Sequence, residues 1–319
     1  MIKMKIDPKD VKGFNYHPSY STGSLEDWIN FDLATWEREL RNGKEKFPKI
    51  NTIRIWLSWN AYCRLEERFI QEVRAVIEVC KTLGLLVIPC LFNRWHDPMV
   101  DCDGIYIDHF LPGSSWLLKF GDPFGDYIEA LAAEFKNEDS ILVWDLCNEP
   151  FAYNGDFPLR ETIQQYELDW LRRMADLLRS FHITQPIGIG STGKESMEIF
   201  GDICDVYLTH LYYNKGTVEM FEEKVRRFFA ESQKNDKPLI CSECCWGSTD
   251  DLKRAELIKI TLDLFAKYGI GYVAHALQYC GCADLHDRCD GRLTENIGNL
   301  CFINKDGSIR PHHEIFNEY

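Results

Sequence analysis

The chain has 319 residues, of which 45% are hydrophobic, and this length fits one large α/β domain as readily as two average ones. Its 36 lysines and arginines are outnumbered by 50 aspartates and glutamates, which leaves a formal net charge of -14. Such a charge repels a phosphate backbone or an anionic lipid surface at long range, so nucleic acid and membrane partners are disfavoured.

The N-terminus and the cysteines bear on where the protein works. Residues 1–8 lack the apolar stretch of about 7–15 residues that a secretory signal needs, and no part of the chain approaches the roughly 20 apolar residues of a membrane span. The 13 cysteines are an odd number, and Cys90 and Cys147 lie within apolar runs. We therefore expect free thiols in a reducing cytoplasm. A secreted protein whose signal had been removed would show the same N-terminus.

Short apolar runs rich in β-branched residues alternate with amphipathic stretches, which is typical of βα units around a parallel sheet. The predicted strands are residues 13–16, 52–56, 85–92, 141–146, 186–191, 206–209, 239–242 and 272–277. The predicted helices are residues 33–46, 64–83, 126–135, 159–181, 218–232 and 250–268, with a shorter one around 195–200 and a closing one at 311–316.

Eight strands with helices between them predict a (β/α)8 TIM barrel, although a doubly wound open sheet has the same local pattern. The sequence contains no Pro/Gly/Ser-rich linker and no short repeat, so residues 1–319 are predicted to form a single domain. Residues 97–123 follow the third strand and contain several glycines and prolines. We expect them to form a βα loop over the face of the barrel where the strands end.

Two of the predicted strands run into a glutamate. One leads into Asn148-Glu149-Pro150 and the other into Ser242-Glu243. An arbitrary glutamate after a strand is most often a solvated loop residue, but two strand ends on one barrel rim can bring two carboxyls together. Glycoside hydrolysis needs two carboxyls, one to protonate the leaving oxygen and one to attack the anomeric carbon or activate water.

On these two motifs the sequence resembles the clan A glycoside hydrolases, and most closely the family 5, cellulase-like group. The resemblance implies a carbohydrate substrate, no cofactor, Glu149 as the general acid/base and Glu243 as the nucleophile that forms a covalent glycosyl-enzyme. Asn148 would then hydrogen-bond the sugar 2-hydroxyl. A retaining enzyme of this kind has its two carboxyls about 5–5.5 Å apart.

Other residues match the same family pattern. Arg54 corresponds to the second-strand arginine that faces the nucleophile, where a guanidinium would lower the pKa of the carboxyl. The alternative is an ordinary structural ion pair. His210 and Tyr212 resemble the His-x-Tyr whose histidine contacts substrate and whose phenol hydrogen-bonds the nucleophile, although such residues more often pack. His96 resembles a histidine that lines the sugar subsite.

Further expectations concern the first strand and the tryptophans. Asn15 occupies the position of the first-strand asparagine of the family, with Tyr16 or His17 lining the pocket beside it. Aromatic rings can stack on pyranose faces, and four tryptophans lie at or after strand ends, namely Trp59, Trp95, Trp116 and Trp246. Three others lie within strands or helices and are predicted to be core residues, namely Trp36, Trp144 and Trp170.

The sequence departs from the family after the eighth strand, where a tryptophan is usual. His275, Gln278 or Tyr279 must have another role there, so the subsite is expected to differ from that of the family. The polar Gln278 is predicted to hydrogen-bond a sugar substituent. Four potential zinc ligands follow in this region, but their spacing is not a common zinc pattern, so no metal is predicted. They are Cys280, Cys282, His286 and Cys289.

Several functions stay open at this stage. The main hypothesis is an exo-acting retaining β-glycosidase, such as a glucosidase or mannosidase, because a cytoplasmic enzyme would meet imported oligosaccharides. An endo-β-glucanase or mannanase acting on polysaccharide is the alternative. A non-catalytic carbohydrate-binding barrel is disfavoured because both glutamate motifs are intact. A lyase or aldolase would need a strand-end lysine or a metal cluster, and the predicted strands have neither.

Overall fold

The structure is a computed structural model that describes residues 4–95, 103–111, 124–152, 158–214, 216–284 and 299–319. Eight parallel strands form a closed barrel in the order of the sequence, which confirms the predicted fold. The strands are β1 (Lys12–Asn15), β2 (Thr52–Trp56), β3 (Leu86–Asn93), β4 (Trp144–Asn148), β5 (Ile187–Ser191), β6 (Tyr207–His210), β7 (Leu239–Cys244) and β8 (Gly271–Ala274).

All eight predicted strands are confirmed, and the largest differences are at β4 and β8. β4 begins at Trp144 instead of residue 141, because Ile141 forms an isolated bridge to Val87 before the regular pairing starts. β8 ends at Ala274, and residues beyond it pair with the closing segment of the chain. The amide of Leu277 donates to the Asn15 carbonyl, while residues 276–278 pair with residues 300–303.

The helices alternate with the strands, and the amphipathic pattern located most of them. In the described part of the chain they are α1 (Ser24–Ile29), α2 (Leu33–Lys46), α3 (Trp59–Leu65), α4 (Glu67–Thr82), α5 (Gly125–Phe135), α6 (Arg160–Ser180), α7 (Lys194–Ile199), α8 (Val218–Lys234), α9 (Asp251–Tyr268) and α10 (Gly281–Asp284). None of these helices combines the length and the apolar composition that a membrane span requires.

Three helical predictions need correction. The predicted helix at 64–83 is two helices, α3 and α4, because Glu66 between them has a left-handed backbone with φ 47°. The short helix α1 was not predicted. The closing helix is a 3-10 helix, His313–Glu318, instead of residues 311–316.

The core has two layers, inside and outside the strands. A small apolar cluster contributed by opposite strands, including Ile88, Leu208 and Val273, fills the lower part of the barrel. The larger cluster lies between the strands and the helices, and it contains Trp36, Trp144 and Trp170, as predicted. Above the inner cluster the barrel interior becomes polar, beginning with the fully buried Arg54.

Two arginines hold the closing segment of the chain against the end of β8. Arg254 of α9 donates to the carbonyls of Leu300 and Cys301, and at 3.1 Å to the carbonyl of His275. Arg310 donates to the carbonyl of Asn299 at 2.8 Å and is ion-paired with α9 through Asp251. The last residues of the chain therefore stabilise the segment that leaves β8.

The cysteines agree with the prediction of free thiols. All eleven cysteines in the described part of the chain are unbonded to one another, and most are buried. Burial raises the pKa of Cys80 and of Cys204 to about 12, so these thiols stay protonated.

Gly13 is a position where the barrel leaves no room for a side chain. A Cβ atom there would lie 2.1 Å from the carbonyl oxygen of Thr52 on β2. We expect Gly13→Ala to push β1 away from β2 and to lower the free energy of unfolding by about 1–3 kcal/mol. Thermal unfolding followed by circular dichroism measures this.

The matched control is Gly125→Ala, because a Cβ atom on this first residue of α5 meets nothing within 4 Å. Alanine is also the better helix former, so Gly125→Ala should leave stability unchanged or slightly raised. Equal losses in the two variants would contradict the steric explanation.

Candidate active site

Arg54 of β2 forms the base of the site. Its guanidinium donates to Asp145 of β4 at 2.8 Å and to Glu243 of β7 at 2.7 Å. It also donates to the side-chain oxygens of Asn15 at 2.9 Å and of Asn148 at 2.8 Å. Burial disfavours the charged guanidinium, but the two carboxylates outweigh it and raise the pKa of Arg54 above its ordinary value. One cation thus links strands β1, β2, β4 and β7.

The strand β5 leaves space for this arrangement because it has glycine at position 190. The amide of Gly190 donates to Asp145 at 2.9 Å. A Cβ atom at this position would lie 2.8 Å from Nε2 of His210, 3.0 Å from Asp145 and 3.1 Å from Arg54. Glycine here allows three side chains to meet at one point.

Asn15 was predicted to bind substrate, and the structure places it beneath the site. Its side chain is fully buried, and its Nδ2 donates to the carbonyls of Ser242 at 2.9 Å and of Val273 at 3.1 Å. Asn15 and Arg54 are absent from the described residues that line the cavity above them. Both therefore position other groups from below.

Glu149 and Glu243 meet at the carboxyl end of the barrel. Glu149 follows β4 directly and has a left-handed backbone with φ 49°, while Glu243 lies in β7. His210 lies between them, with its Nδ1 2.7 Å from Glu149 Oε1 and 3.4 Å from Glu243 Oε2. Nδ1 is therefore the ring nitrogen of His210 that faces both carboxyl groups.

Glu243 is held as an anion by its surroundings. Tyr212 donates to Glu243 Oε2 at 2.8 Å, and Nδ1 of His275 lies 3.6 Å from the same oxygen. Burial would raise the pKa of Glu243, but His210, His275 and Arg54 outweigh it and hold this pKa well below its ordinary value. Burial and Glu243 raise the pKa of Tyr212, so its phenol stays protonated and donates.

Asn148 is oriented by two hydrogen bonds. Its Oδ1 accepts from Arg54, and its Nδ2 donates to Asn93 Oδ1 at 2.9 Å. An amide nitrogen has two N–H groups, so one remains for a ligand. Asn93, the last residue of β3, was not predicted as a site residue.

A cavity of about 360 Å³ lies above these residues, and it is lined by both glutamates, Asn148, His210, Tyr212, Trp95 and Trp246, all predicted site residues. Tyr212 and Trp246 pack edge to face, with ring centroids 5.0 Å apart. Trp59 is not among the lining residues, because it packs against Phe124. His96 and Trp116 lie outside the described residues.

The structure does not bring Gln278 to the cavity. Its side chain is 3% exposed and donates to the carbonyl of Asn304 at 3.4 Å. The reason is the turn after β8, which directs this part of the chain towards the closing segment. His275, the first residue after β8, lines the cavity instead.

His17, Trp56 and His275 form one wall of the cavity, contributed by the ends of β1, β2 and β8. The His17 ring stacks on Trp56 with centroids 4.5 Å apart, and Trp56 packs against His275 at 5.8 Å. His17 lies 2.7 Å from Asp27, a buried carboxylate of α1. Burial lowers the pKa of His17, but Asp27 outweighs it and raises that pKa.

Trp56, Asn93, Thr192, Asn214 and Lys224 also line the cavity and were not predicted. Trp56 and Asn93 end their strands, so their position at the carboxyl edge was a usable signal. Lys224 lies inside α8, where its sequence context resembles any exposed helical lysine.

Glu149, His210 and Glu243 have ligand atoms within 4.8 Å of one another, close enough for a metal ion. The electrostatics oppose this, because the Arg54 guanidinium already holds Glu243 and would repel a cation. Of the potential zinc ligands after β8, Cys280 and Cys282 are described, whereas His286 and Cys289 lie outside the described residues.

Residues 10–281 match the family model described as "Cellulase (glycosyl hydrolase family 5)". This span contains Arg54, both glutamates and the residues that contact them. Comparison with curated protein sequences gives no match.

Solved structures share the fold at low sequence identity. GH5_18 from Streptomyces cattleya in complex with GlcNAc is 15% identical, with a TM-score of 0.71 over 97% of this chain and 80% of that chain. Exo-beta-1,4-mannosidase Op5Man5 from an Opitutaceae bacterium, strain TAV5, is 15% identical, with a TM-score of 0.72, and this chain spans 58% of its length. A GH5-4 broad specificity endoglucanase from Clostridium acetobutylicum is 15% identical, with a TM-score of 0.66 over 98% and 99% of the two chains.

The Arg54 ion pairs predict a large loss of stability on removal of the cation. Arg54→Met leaves Asp145 and Glu243 buried without a counter-charge, so we expect a loss of about 3–5 kcal/mol near pH 7 in urea unfolding. Because the folded-state pKa of Glu243 is lowered, its contribution is present above the ordinary glutamate pKa and is lost as the pH falls through the lowered value. The difference in unfolding free energy between the wild type and Arg54→Met should therefore be smaller near pH 4.

The control is Arg38→Met, because Arg38 is an exposed arginine whose ion pair with Glu39 should contribute about 1 kcal/mol or less. An Arg54→Met protein as stable as Arg38→Met at both pH values would contradict the central role of Arg54.

Proposed function

The chain belongs to glycosyl hydrolase family 5, and from this membership we propose that it hydrolyses β-glycosidic bonds with retention of anomeric configuration. Glu149 is the general acid/base and Glu243 is the nucleophile. The reaction passes through a covalent bond between Glu243 and the sugar.

The separation of the two carboxyls carries this proposal. One oxygen of Glu149 and one of Glu243 lie within 4.8 Å of each other. Retaining enzymes have carboxyls about 5–5.5 Å apart, whereas inverting enzymes keep about 6.5–9.5 Å so that a water fits between carboxyl and sugar. Carboxyl oxygens that approach each other this closely fit the retaining arrangement better than the inverting one, which supports direct attack by a carboxylate.

The surroundings of the two glutamates support their different roles. The lowered pKa of Glu243 keeps it ionised, as a nucleophile requires. Glu149 has no contact with Arg54 among the hydrogen bonds of the described residues, and its neighbour is His210. This leaves Glu149 to carry the proton.

The proposed reaction has two steps. A carboxylate oxygen of Glu243 attacks the anomeric carbon while Glu149 gives its proton to the departing glycosidic oxygen, so the leaving group departs as an alcohol. Water then attacks the same carbon, Glu149 takes one proton from it, and the bond to Glu243 breaks. Each glutamate ends in the state in which it began.

Asn148 fits the role of binding the sugar 2-hydroxyl. Its amide is fixed by Arg54 and Asn93, and a free N–H remains beside Glu149. A donor held rigidly at this point can strengthen its hydrogen bond as the transition state forms. His210, between the two glutamates, is placed to contact the same sugar.

We propose a short oligosaccharide or glycoconjugate as the substrate and exo action on it. The cavity volume of about 360 Å³ is near the lower end of ligand pockets, which range from about 300 to 1,000 Å³. Trp95 and Trp246 line it and offer rings for stacking on a pyranose. A structural neighbour is an exo-mannosidase, whereas another is an endoglucanase.

The exo assignment is tested by the products. An exo-acting enzyme should release single sugars from the chain end without lowering the viscosity of a matching polysaccharide.

Substitution of the two glutamates tests the mechanism. Glu243→Gln and Glu149→Ala should each lower the turnover of an aryl β-glycoside by at least about 100-fold, because each lacks a group required in the transition state. Azide should restore turnover of Glu149→Ala with release of the β-glycosyl azide, detected by proton NMR. Glu256→Gln, on the exposed side of α9, is the matched control and should keep full activity. Unchanged activity in Glu243→Gln would falsify the assignment.

Tyr212 gives a prediction about pH. Tyr212→Phe keeps the ring but loses the hydrogen bond to Glu243, and a hydrogen bond to a charged group contributes about 1.5–3 kcal/mol. We expect kcat/KM to fall by about 10-fold or more, and its acid limb to move to higher pH because the pKa of Glu243 rises.

The control is Tyr213→Phe, because the hydroxyl of Tyr213 donates to the carbonyl of Gly216 at 3.4 Å and not to Glu243. This variant should keep the wild-type pH profile. An acid limb that stays in place in Tyr212→Phe would show that the phenol does not hold Glu243 as an anion.

A further inference from the structure

Lys224 reaches the active-site cavity from the second turn of α8. Among the described residues that line the cavity it is the one lysine or arginine. Thr192, which follows β5, and Asn214, which lies between β6 and α8, line the same cavity. Strands β5 and β6 are adjacent in the barrel, so these residues come from the side of the cavity where β5 and β6 end. This side, termed here the Lys224 side, lies across the glutamates from the wall of His17, Trp56 and His275.

The Lys224 ammonium has no counter-charge in the described part of the chain. It forms no ion pair or hydrogen bond there, although its side chain is half-buried. Lys234, ten residues further along the same helix, is instead paired with Glu231 at 3.0 Å. Burial lowers the pKa of Lys224, and no nearby carboxylate restores it. Partial burial without a counter-charge among the described residues costs the ammonium part of its hydration, and a bound anion would compensate that loss.

The polar neighbours of Lys224 are also available to a ligand. Neither the Thr192 hydroxyl nor the Asn214 amide forms a hydrogen bond with a described residue. A cation with a hydroxyl and an amide around it can surround the oxygens of an anionic group.

The charge of the whole protein makes a local cation more significant. The net charge is -14, and the cavity also contains the two catalytic glutamates, so an approaching anion is repelled. Arg54 cannot compensate, because it is fully buried and already paired with Asp145 and Glu243. A neutral sugar would need no cation at the wall of the cavity.

We propose that the substrate carries an anionic substituent, a carboxylate or a sulfate or phosphate ester, and that Lys224 binds it together with Thr192 and Asn214. This inference rests on the glycosidase function proposed above and narrows its substrate class to acidic saccharides or acidic glycosides. An ammonium is a point charge with three donors, so it accepts planar carboxylates and tetrahedral esters alike. Lys224 is thus a specificity-determining residue.

The test compares substrates that differ only in charge. One pair is the 4-nitrophenyl β-glycoside and the corresponding β-uronide of a sugar that the enzyme accepts, which places the anion on the ring that is attacked. The other pair is the 4-carbamoylphenyl and 4-carboxyphenyl β-glycosides, which place it on the leaving group. The measured quantity is the preference, defined as kcat/KM for the anionic member divided by that for the neutral member.

We expect the wild type to prefer the anionic member of at least one pair, and Lys224→Met to lower that preference by about 10-fold or more. Lys224→Arg, which keeps the charge, should retain most of it. Lys234→Met is the matched control on the same helix and should keep the wild-type preference. The preference should also decrease with added salt in the wild type, and not in Lys224→Met.

Two results would overturn the inference. One is a wild type without preference for the anionic member of either pair, and the other is a Lys224→Met variant with an unchanged preference. Turnover of the neutral glycosides in either case would leave the glycosidase function standing. If no aryl glycoside is hydrolysed, the proposed function fails, and calorimetry decides the role of Lys224. If the wild type and Lys224→Met both bind D-glucuronate no more tightly than D-glucose, the proposed role of Lys224 is rejected.

Discussion

The ion pairs of Arg54 connect the barrel to its chemistry. The guanidinium is fixed by Asp145 below the site, and its remaining donors reach Glu243 and the amide of Asn148. The same contacts that hold β2 against β4 and β7 therefore also set the charge of one glutamate and the orientation of the side chain beside the other. Stability and reactivity share one buried cation, which explains why Gly190 must leave room for it.

The cavity above this cation has two unlike sides. The wall of His17, Trp56 and His275 is formed by stacked rings, with His17 bound to a buried carboxylate. On the Lys224 side, the ammonium and the polar groups of Thr192 and Asn214 have no hydrogen-bond or ion-pair partner among the described residues. Rings can cover a pyranose without regard to its substituents, whereas a charge selects among them. The two sides would therefore have different roles. The wall of rings can bind any pyranose, whereas the Lys224 side selects sugars with an anionic substituent.

The sequence predicted the parts of the molecule that follow from local patterns. Strands appear as apolar runs, and Glu149 and Glu243 stand out because a polar residue interrupts such a run at its end. Arg54 and Tyr212 were located through the resemblance to family 5, because each matches a position of the family pattern. Gln278 was misplaced because its location depends on pairing with residues 300–303, far away in sequence. The sequence did not identify Lys224 as a cavity residue, because only the packing of α8 against the barrel shows which face of the helix reaches the cavity.

Arg254 and Arg310 connect the closing segment of the chain, residues 299–310, to one wall of the active-site cavity. Arg254 donates hydrogen bonds to the carbonyls of His275, Leu300 and Cys301. The closing segment therefore supports the wall of the cavity that contains His275. Removal of residues 299–310 would therefore change the shape of the pocket, although the catalytic glutamates lie on other strands.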